Sequence, residues 1–250
     1  MTNANCSTTG IAIPLAALER AFGPLDAVLC TTMQAISGGG YPGVPSLDIL
    51  DNVVPYISGE EEKIQWELLK ILGGICSDSA AASTTTGATG TVTASASANA
   101  TTLSTSPSSS NVVAKKFDMH ASHPLRISAA CNRVPVLDGH TATVSVRFVR
   151  RPPPSPQQVR EALEQFTTEA CTLGCPSAPR AVIFVHDEPD RPQPRLDRDY
   201  QRGAGVNVGR VRQCPVLDIK FVVLANNVCI GAATSSIINA ELAIAKGLVN

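Results

Sequence analysis

The sequence predicts an α+β fold built on a mixed, largely antiparallel sheet. Two observations predict it. Short segments that alternate apolar and polar residues recur along the chain and mostly adjoin through turn sequences, whereas only a few segments place apolar residues at helical spacing. Strands that follow one another without a helix between them favour antiparallel pairing. The chain of 250 residues is long enough to bury a core.

The first part of the chain combines a helix and a strand. Ile11, Leu15, Leu18 and Phe22 recur at helical spacing, and Gly23-Pro24 ends that helix. The elements predicted next are a strand at 26–34, a turn-rich segment at 37–45 and a charged helix at 60–72.

The composition changes abruptly at residue 77. The tract 77–110 consists almost entirely of Ser, Thr, Ala and Gly, and Asp78 is its only charged residue. Such a tract buries too little apolar surface to offset its chain entropy. We predict a low-complexity, disordered insertion at 77–116 within one domain spanning 1–250; a flexible linker between two domains is the alternative.

Regular patterns resume after the tract. A helix is predicted at 156–168 with Ser155 as its N-cap. The other predicted elements are strands at 125–131, 141–149, 181–186, 206–212 and 217–224, and a last helix at 235–246.

Composition excludes several classes of function. The formal net charge of −1 gives no electrostatic basis for binding nucleic acid or an anionic membrane surface. No apolar stretch is long enough to span a bilayer, and no signal peptide opens the chain. The eight cysteines occur singly, without metal-site spacing. We therefore expect a cytoplasmic protein with free thiols, no metal, no nucleic-acid partner and no membrane partner.

Two residues could carry chemistry. Cys6 lies just before a helical pattern, where the positive end of the helix dipole favours the thiolate; the alternative is a cysteine that only packs. His140 follows an Asp-Gly turn at the start of a strand and could act as an acid or base at neutral pH.

Three charged residues could bind a substrate. Arg133 could hold a carboxylate, although a surface cation is the commoner fate of an arginine. Glu60 and Lys63 would share one helix face; the alternative is a solvated helix start.

Six ordered motifs resemble those of aspartate-semialdehyde dehydrogenases, in the branch found in fungi and archaea. The resemblance that they mark extends over almost all of the chain outside 77–116. The motifs are Asn-Cys-Ser-Thr-Thr at 5–9, Met-Gln-Ala-Ile-Ser-Gly-Gly-Gly-Tyr-Pro-Gly at 33–43, Gly-Glu-Glu-Glu-Lys at 59–63, Cys-Asn-Arg-Val-Pro-Val-Leu-Asp-Gly-His at 131–140, Pro-Asp-Arg-Pro-Gln-Pro-Arg at 189–195 and Gly-Ala-Ala at 231–233.

The resemblance implies NADPH-dependent reductive dephosphorylation of L-aspartyl 4-phosphate to L-aspartate 4-semialdehyde and phosphate. This reaction serves the biosynthesis of lysine, threonine and methionine. The implied fold is the family's catalytic and dimerisation domain, with helices on one face of the sheet, similar to the C-terminal domain of glyceraldehyde-3-phosphate dehydrogenase. The implied assembly is a homodimer or homotetramer.

The resemblance also implies roles for individual residues. Cys6 would be the nucleophile that forms a thioester, and His140 would be the acid and base. Substrate binding falls to a polar set: Asn5, Gln34, Glu60, Lys63 and Arg133. The cofactor NADP would contact Ser37, Gly38, Gly39, Gly40, Asn227, Gly231 and Ala232.

One feature of the family is missing from the pattern. In the family a dinucleotide-binding domain precedes the Asn-Cys-Ser-Thr motif, which here begins at Asn5. We therefore expect a catalytic and dimerisation portion that lacks this domain and has no NADPH-dependent activity alone. A related acyl-phosphate or acyl-CoA reductase, a non-catalytic dimerisation fragment and a Cys/His hydrolase remain alternatives.

Overall fold

The computed structural model describes residues 3–75, 117–118 and 125–249. The predicted insertion at 77–116 lies outside these residues. The helices within them are α1 (Cys6–Phe22), α2 (Ser46–Ile49), α3 (Glu60–Leu72), α4 (Pro156–Glu164), α5 (Glu169–Thr172), α6 (Pro194–Asp197) and α7 (Thr234–Ala245). The strands are β1 (Leu25–Gln34), β2 (Gly74–Ile75), β3 (Phe117–Asp118), β4 (Arg126–Arg133), β5 (His140–Phe148), β6 (Ile183–Val185), β7 (Val206–Gln213) and β8 (Ile219–Ala225).

Six strands form the main sheet in the order β4-β1-β5-β8-β7-β6. The three central pairings, β1 with β5, β5 with β8 and β8 with β7, are antiparallel. The outer pairings, β1 with β4 and β7 with β6, are parallel. The prediction of a mixed, largely antiparallel sheet is therefore confirmed.

The core lies between one face of this sheet and helices α1, α3 and α4. Leu15 and Leu18 of α1 and Ile64 and Leu68 of α3 are fully buried there. Burying one such side chain contributes roughly 1.5–3 kcal/mol, so the amphipathic stripes that predicted these helices also hold them on the sheet.

The opposite sheet face is open over β4, β1 and β5. Leu29, Thr31, Ala130 and Thr143 are all exposed there. They are also neighbours, because Thr31 pairs with Ala130 on one side and with Thr143 on the other.

One predicted helix end is wrong, and two short helical turns were not predicted. The helix predicted at 156–168 ends at Glu164, because Thr168 instead caps α5 with its hydroxyl, which accepts a hydrogen bond from Cys171 N–H. The Ser155 cap itself is confirmed. The turn-rich segment contains a 3-10 helix at Ile36–Gly39, and a π-helical turn at Cys229–Ala233 precedes α7.

Candidate active site

Asn5 and Gly231 position Cys6 as the first residue of α1. The Asn5 side-chain oxygen accepts hydrogen bonds from Ser7 N–H at 2.9 Å and Thr8 N–H at 3.2 Å, which is an N-cap. The π-helical turn packs directly on the nucleophile, since a Cβ added to Gly231 would lie 2.9 Å from Cys6 Cβ. Cys6 is therefore held from both sides.

The thiol of Cys6 is less acidic than the sequence predicts. Burial and the nearby Glu60 carboxylate raise the pKa of Cys6, although the Ser7 and Cys6 amides and the Arg133 guanidinium oppose them. The amides at the helix N-terminus lower the pKa of Cys6 as the sequence predicts, but the net shift is upward. Desolvation of the charged form outweighs the amide contribution.

Alkylation of Cys6 should report this raised pKa. The iodoacetamide rate is expected to climb with pH and to have its midpoint above 9.0, the ordinary thiol value. Glu60→Gln removes one cause and should shift the midpoint down, while Glu62→Gln, an exposed control in the same helix turn, should not. A wild-type midpoint below the ordinary value would contradict this account.

His140 opens β5 directly after a tight turn. Gly139 has a φ of +99°, a conformation that favours glycine, and it aligns His140 with the cleft. His140 Nδ1 accepts a hydrogen bond from Ala35 N–H at 3.0 Å. Its Nε2 is buried and has no hydrogen-bond partner in the described part of the chain. Burial and Arg133 lower the pKa of His140 to about 3, so the ring is neutral at neutral pH.

Cys6 and His140 line one small cavity between α1 and the sheet. Ser7 and Thr32 line it too. The Ser7 hydroxyl, like His140 Nε2, is buried without a partner among the described residues. Buried polar groups are nearly always hydrogen-bonded, and a cavity of this size suits one water molecule that would satisfy them.

Arg133 and Gln34 meet because β1 and β4 are parallel partners and these two residues are paired at their ends. Arg133 is 7% exposed and Gln34 is 1% exposed. Arg133 Nη1 donates to Ala35 O at 2.8 Å. The other N–H groups of the guanidinium can still donate to a ligand. Gly38 covers Arg133 and His140, since a Cβ there would lie 2.9 Å from Arg133 Nη1 and 3.0 Å from His140 Nε2.

Glu60 begins α3 beside the same cleft. Its carboxylate accepts hydrogen bonds from Asn5 Nδ2 at 3.0 and 2.9 Å and from Gln34 Nε2 at 3.3 Å. Lys63 Nζ lies 3.4 Å from Glu60 Oε1 and is more than half exposed. The structure therefore brings the predicted substrate-binding residues together, and it uses the Asn5 side chain to link α1 with Glu60.

The predicted cofactor residues fall into two groups. Ser37, Gly38, Gly39, Gly40 and Ala232 are exposed. Asn227 and Gly231 are instead buried. Asn227 Oδ1 accepts from Gly139 N–H at 2.8 Å, and its Nδ2 donates to Ser37 Oγ at 2.8 Å.

Sequence reasoning missed two features of the site. The Ala35 amide is invisible to a search for reactive side chains, although its neighbour Gln34 was identified. The linking role of Asn227 depends on contacts with two distant turns. The sequence feature that could have indicated this role is the Asn-Asn pair at 226–227, directly after a predicted strand.

Two negative findings concern only the described ranges. None of the helices there is both long and apolar enough to cross a membrane. No group of three or more His, Cys, Asp or Glu side chains there could hold a metal ion.

The fold and the cleft are those of a cysteine-containing domain with an imidazole and a guanidinium on the two strands that flank β1. The family model for the semialdehyde dehydrogenase dimerisation domain matches residues 15–102 and 108–230. The chain therefore belongs to the semialdehyde dehydrogenase family.

Individual relatives agree with this assignment. The chain is 56% identical to the aspartate-semialdehyde dehydrogenase of Cryptococcus neoformans over 249 residues, covering 100% of this chain and 59% of the relative. It is 37% identical to that of Archaeoglobus fulgidus, with the same coverage. It also matches the crystal structure of aspartate-semialdehyde dehydrogenase with NADP from Candida albicans, with a TM-score of 0.78, 43% identity, and coverage of 99% of this chain and 58% of that chain. The chain thus spans less than two thirds of these relatives.

Proposed function

We propose that the chain supplies the catalytic residues for reductive dephosphorylation of L-aspartyl 4-phosphate to L-aspartate 4-semialdehyde, with NADP as cofactor. The observation that carries the proposal is that Cys6, at the N-terminus of α1, shares a cavity with His140, whose Nε2 is buried and unpartnered. The similarity to aspartate-semialdehyde dehydrogenases supports the choice of substrate.

Cys6 performs the covalent step in this proposal. Its Sγ attacks the acyl-phosphate carbon, phosphate leaves, and a thioester remains on the enzyme. Splitting the reaction in this way lets one site hold the acyl group between two easier steps.

Charge complementarity orients the substrate. Arg133, buried at the end of β4, suits the α-carboxylate, and the Glu60 carboxylate suits the α-ammonium. Gln34 lies between them, and Lys63, exposed at the mouth, suits the phosphate. The Glu60 carboxylate favours a substrate with a free α-ammonium group over an N-acylated acyl phosphate. This preference distinguishes the proposed substrate from the N-acylated substrates of related reductases.

The exposed glycine turn at 37–40 and Ala232 leave room for the nicotinamide side of NADP. NADPH, when bound, supplies the hydride that reduces the thioester. Asn227 contributes indirectly, because its two hydrogen bonds tie the Ser37 turn to the Gly139 turn.

The two half-reactions provide a test of this proposal. The chain is expected to release phosphate from L-aspartyl 4-phosphate, because the acyl-transfer residues all lie in its described part. It is expected to oxidise little or no NADPH alone, because only two of its described segments, 37–40 and 227–232, are candidates for cofactor contact. Absence of phosphate release would favour a non-catalytic dimerisation fragment. NADPH oxidation that matches phosphate release would contradict the second expectation.

We further propose that the chain forms a homodimer or homotetramer through the open sheet face of Leu29, Thr31, Ala130 and Thr143. Exposed apolar and small side chains on a flat face are typical of an interface, and the matched family domain is a dimerisation domain. Light scattering should give at least twice the monomer mass, and Thr31→Lys should lower it. A monomer at every concentration would contradict the proposal.

A further inference from the structure

The two ring nitrogens of His140 have different surroundings. Ala35 N–H points at Nδ1 from 3.0 Å, while Nε2 is buried in the cleft without a partner in the described part of the chain. A backbone N–H can only donate, so Nδ1 must present its lone pair. In a neutral imidazole the proton then resides on Nε2.

We propose that the Ala35 amide holds His140 in the neutral tautomer protonated at Nε2, so that His140 meets the substrate as a hydrogen-bond donor and not as the base for the Cys6 thiol. The assignment of the tautomer rests on geometry alone. Its catalytic consequence rests on the proposed function.

The charges around the ring support this assignment. Arg133 on β4, Glu60 on α3 and the Cys6 thiol on α1 surround the cleft, and β8 contributes Ala225 opposite His140. Of these groups, the Arg133 guanidinium acts on His140, and together with burial it lowers the pKa of the ring. Protonation of Nδ1 would also replace an accepting atom with a second donor facing Ala35 N–H.

The acyl-transfer step balances without the transfer of a proton to or from His140. Cys6 Sγ forms a bond to the acyl carbon, and the C=O π pair moves onto oxygen, where Nε2–H stabilises it. That pair then re-forms C=O, the bond to the phosphate oxygen breaks, and phosphate leaves with the electron pair. The proton of the Cys6 thiol passes to solvent or to the departing phosphate.

The reduction step has the same form. Hydride addition to the thioester carbon places an electron pair on the same oxygen. Re-forming C=O then breaks the C–S bond and returns the pair to Cys6 as thiolate. A fixed donor therefore suffices for both steps, as it does in oxyanion holes.

Nitrogen NMR of the substrate-free protein tests the tautomer directly. Two-bond proton–nitrogen correlations distinguish a ring protonated at Nε2, a ring protonated at Nδ1 and an imidazolium; His140→Asn assigns the signal. The Nε2-protonated pattern is expected throughout the range from about pH 5.5 to 8. An Nδ1-protonated pattern, or an imidazolium that titrates in this range, would overturn the proposal whatever the reaction.

Ala35 variants test the cause. Ala35→Pro removes the N–H at a residue whose φ of −64° suits proline, and it should allow the Nδ1-protonated form to appear. Ala35→Gly keeps the amide and should leave the pattern unchanged. If Ala35→Pro fails to fold, the wild-type spectrum alone decides the tautomer.

The rate of phosphate release distinguishes the two possible roles of His140, hydrogen-bond donor and general base. His140→Gln keeps an N–H donor and should stay within about 10-fold of the wild-type rate, whereas His140→Ala should lose on the order of 10²–10³-fold. Equal losses in the two variants, with the Nε2-protonated tautomer confirmed, would overturn the donor role and leave the tautomer and the proposed reaction standing.

Discussion

Replacing Cys6 with serine should lower the rate of phosphate release from L-aspartyl 4-phosphate by on the order of 10³-fold or more. The serine hydroxyl ionises far less readily than a thiol, and burial together with Glu60 already raises the pKa of the group at this position. The Asn5 cap and the contact with Gly231 should persist, because serine and cysteine have nearly the same shape.

A second cysteine variant tests whether the loss of any thiol would lower the rate of phosphate release. Cys214→Ser changes a partly exposed cysteine in the turn between β7 and β8, and it should leave phosphate release unchanged. Both rates would be measured by stopped-flow detection of phosphate, with thermal melts to confirm folding. A Cys6→Ser protein that retains even about a tenth of the wild-type rate would remove the covalent step from the account.

Replacing Arg133 with alanine should weaken substrate capture on the order of 10²–10³-fold, seen as a higher L-aspartyl 4-phosphate concentration at half the maximal single-turnover rate of phosphate release. A buried guanidinium binds a carboxylate with charge-assisted hydrogen bonds, and losing one partner of such a pair costs about 3–5 kcal/mol. Arg133 also donates to Ala35 O, so a lower melting temperature is expected as well.

Arg126→Ala provides the control on the same strand. Its side chain is 67% exposed and pairs with Asp26, so its loss should leave the half-saturating substrate concentration unchanged. Arg133→Lys keeps the charge without the fork and should fall between wild type and alanine. A wild-type half-saturating concentration for Arg133→Ala would show that the carboxylate binds elsewhere.

Local patterns predicted much of the fold. Helix α3 and strand β1 are found within one residue of their predicted bounds, because charge at a helix start and alternation along a strand are properties of neighbouring residues. The end of α4 could not be predicted in the same way. Thr168 fits the helical pattern of α4, but in the structure its hydroxyl caps α5. The π-helical turn at Cys229–Ala233 likewise depends on its packing against Cys6.

The site required tertiary contacts that no local pattern contains. Gln34 and Arg133 become partners only when β1 and β4 pair across the intervening low-complexity tract. The pKa of Cys6 rises, against the expectation from the helix dipole, because folding buries the thiol beside Glu60. The tautomer of His140 depends on one backbone amide, at Ala35. The sequence therefore predicts residues that converge on one cleft, but it does not predict their protonation states.

Whether Cys6 carries the acyl group is tested most directly by mass spectrometry of the acid-quenched protein and of its peptides. The chain would be mixed with L-aspartyl 4-phosphate without NADPH, quenched in acid and digested to locate the adduct. The account predicts one aspartyl adduct per chain on Cys6, formed as phosphate appears and lost in Cys6→Ser. Phosphate release with no adduct at any time, or an adduct on another residue, would contradict it.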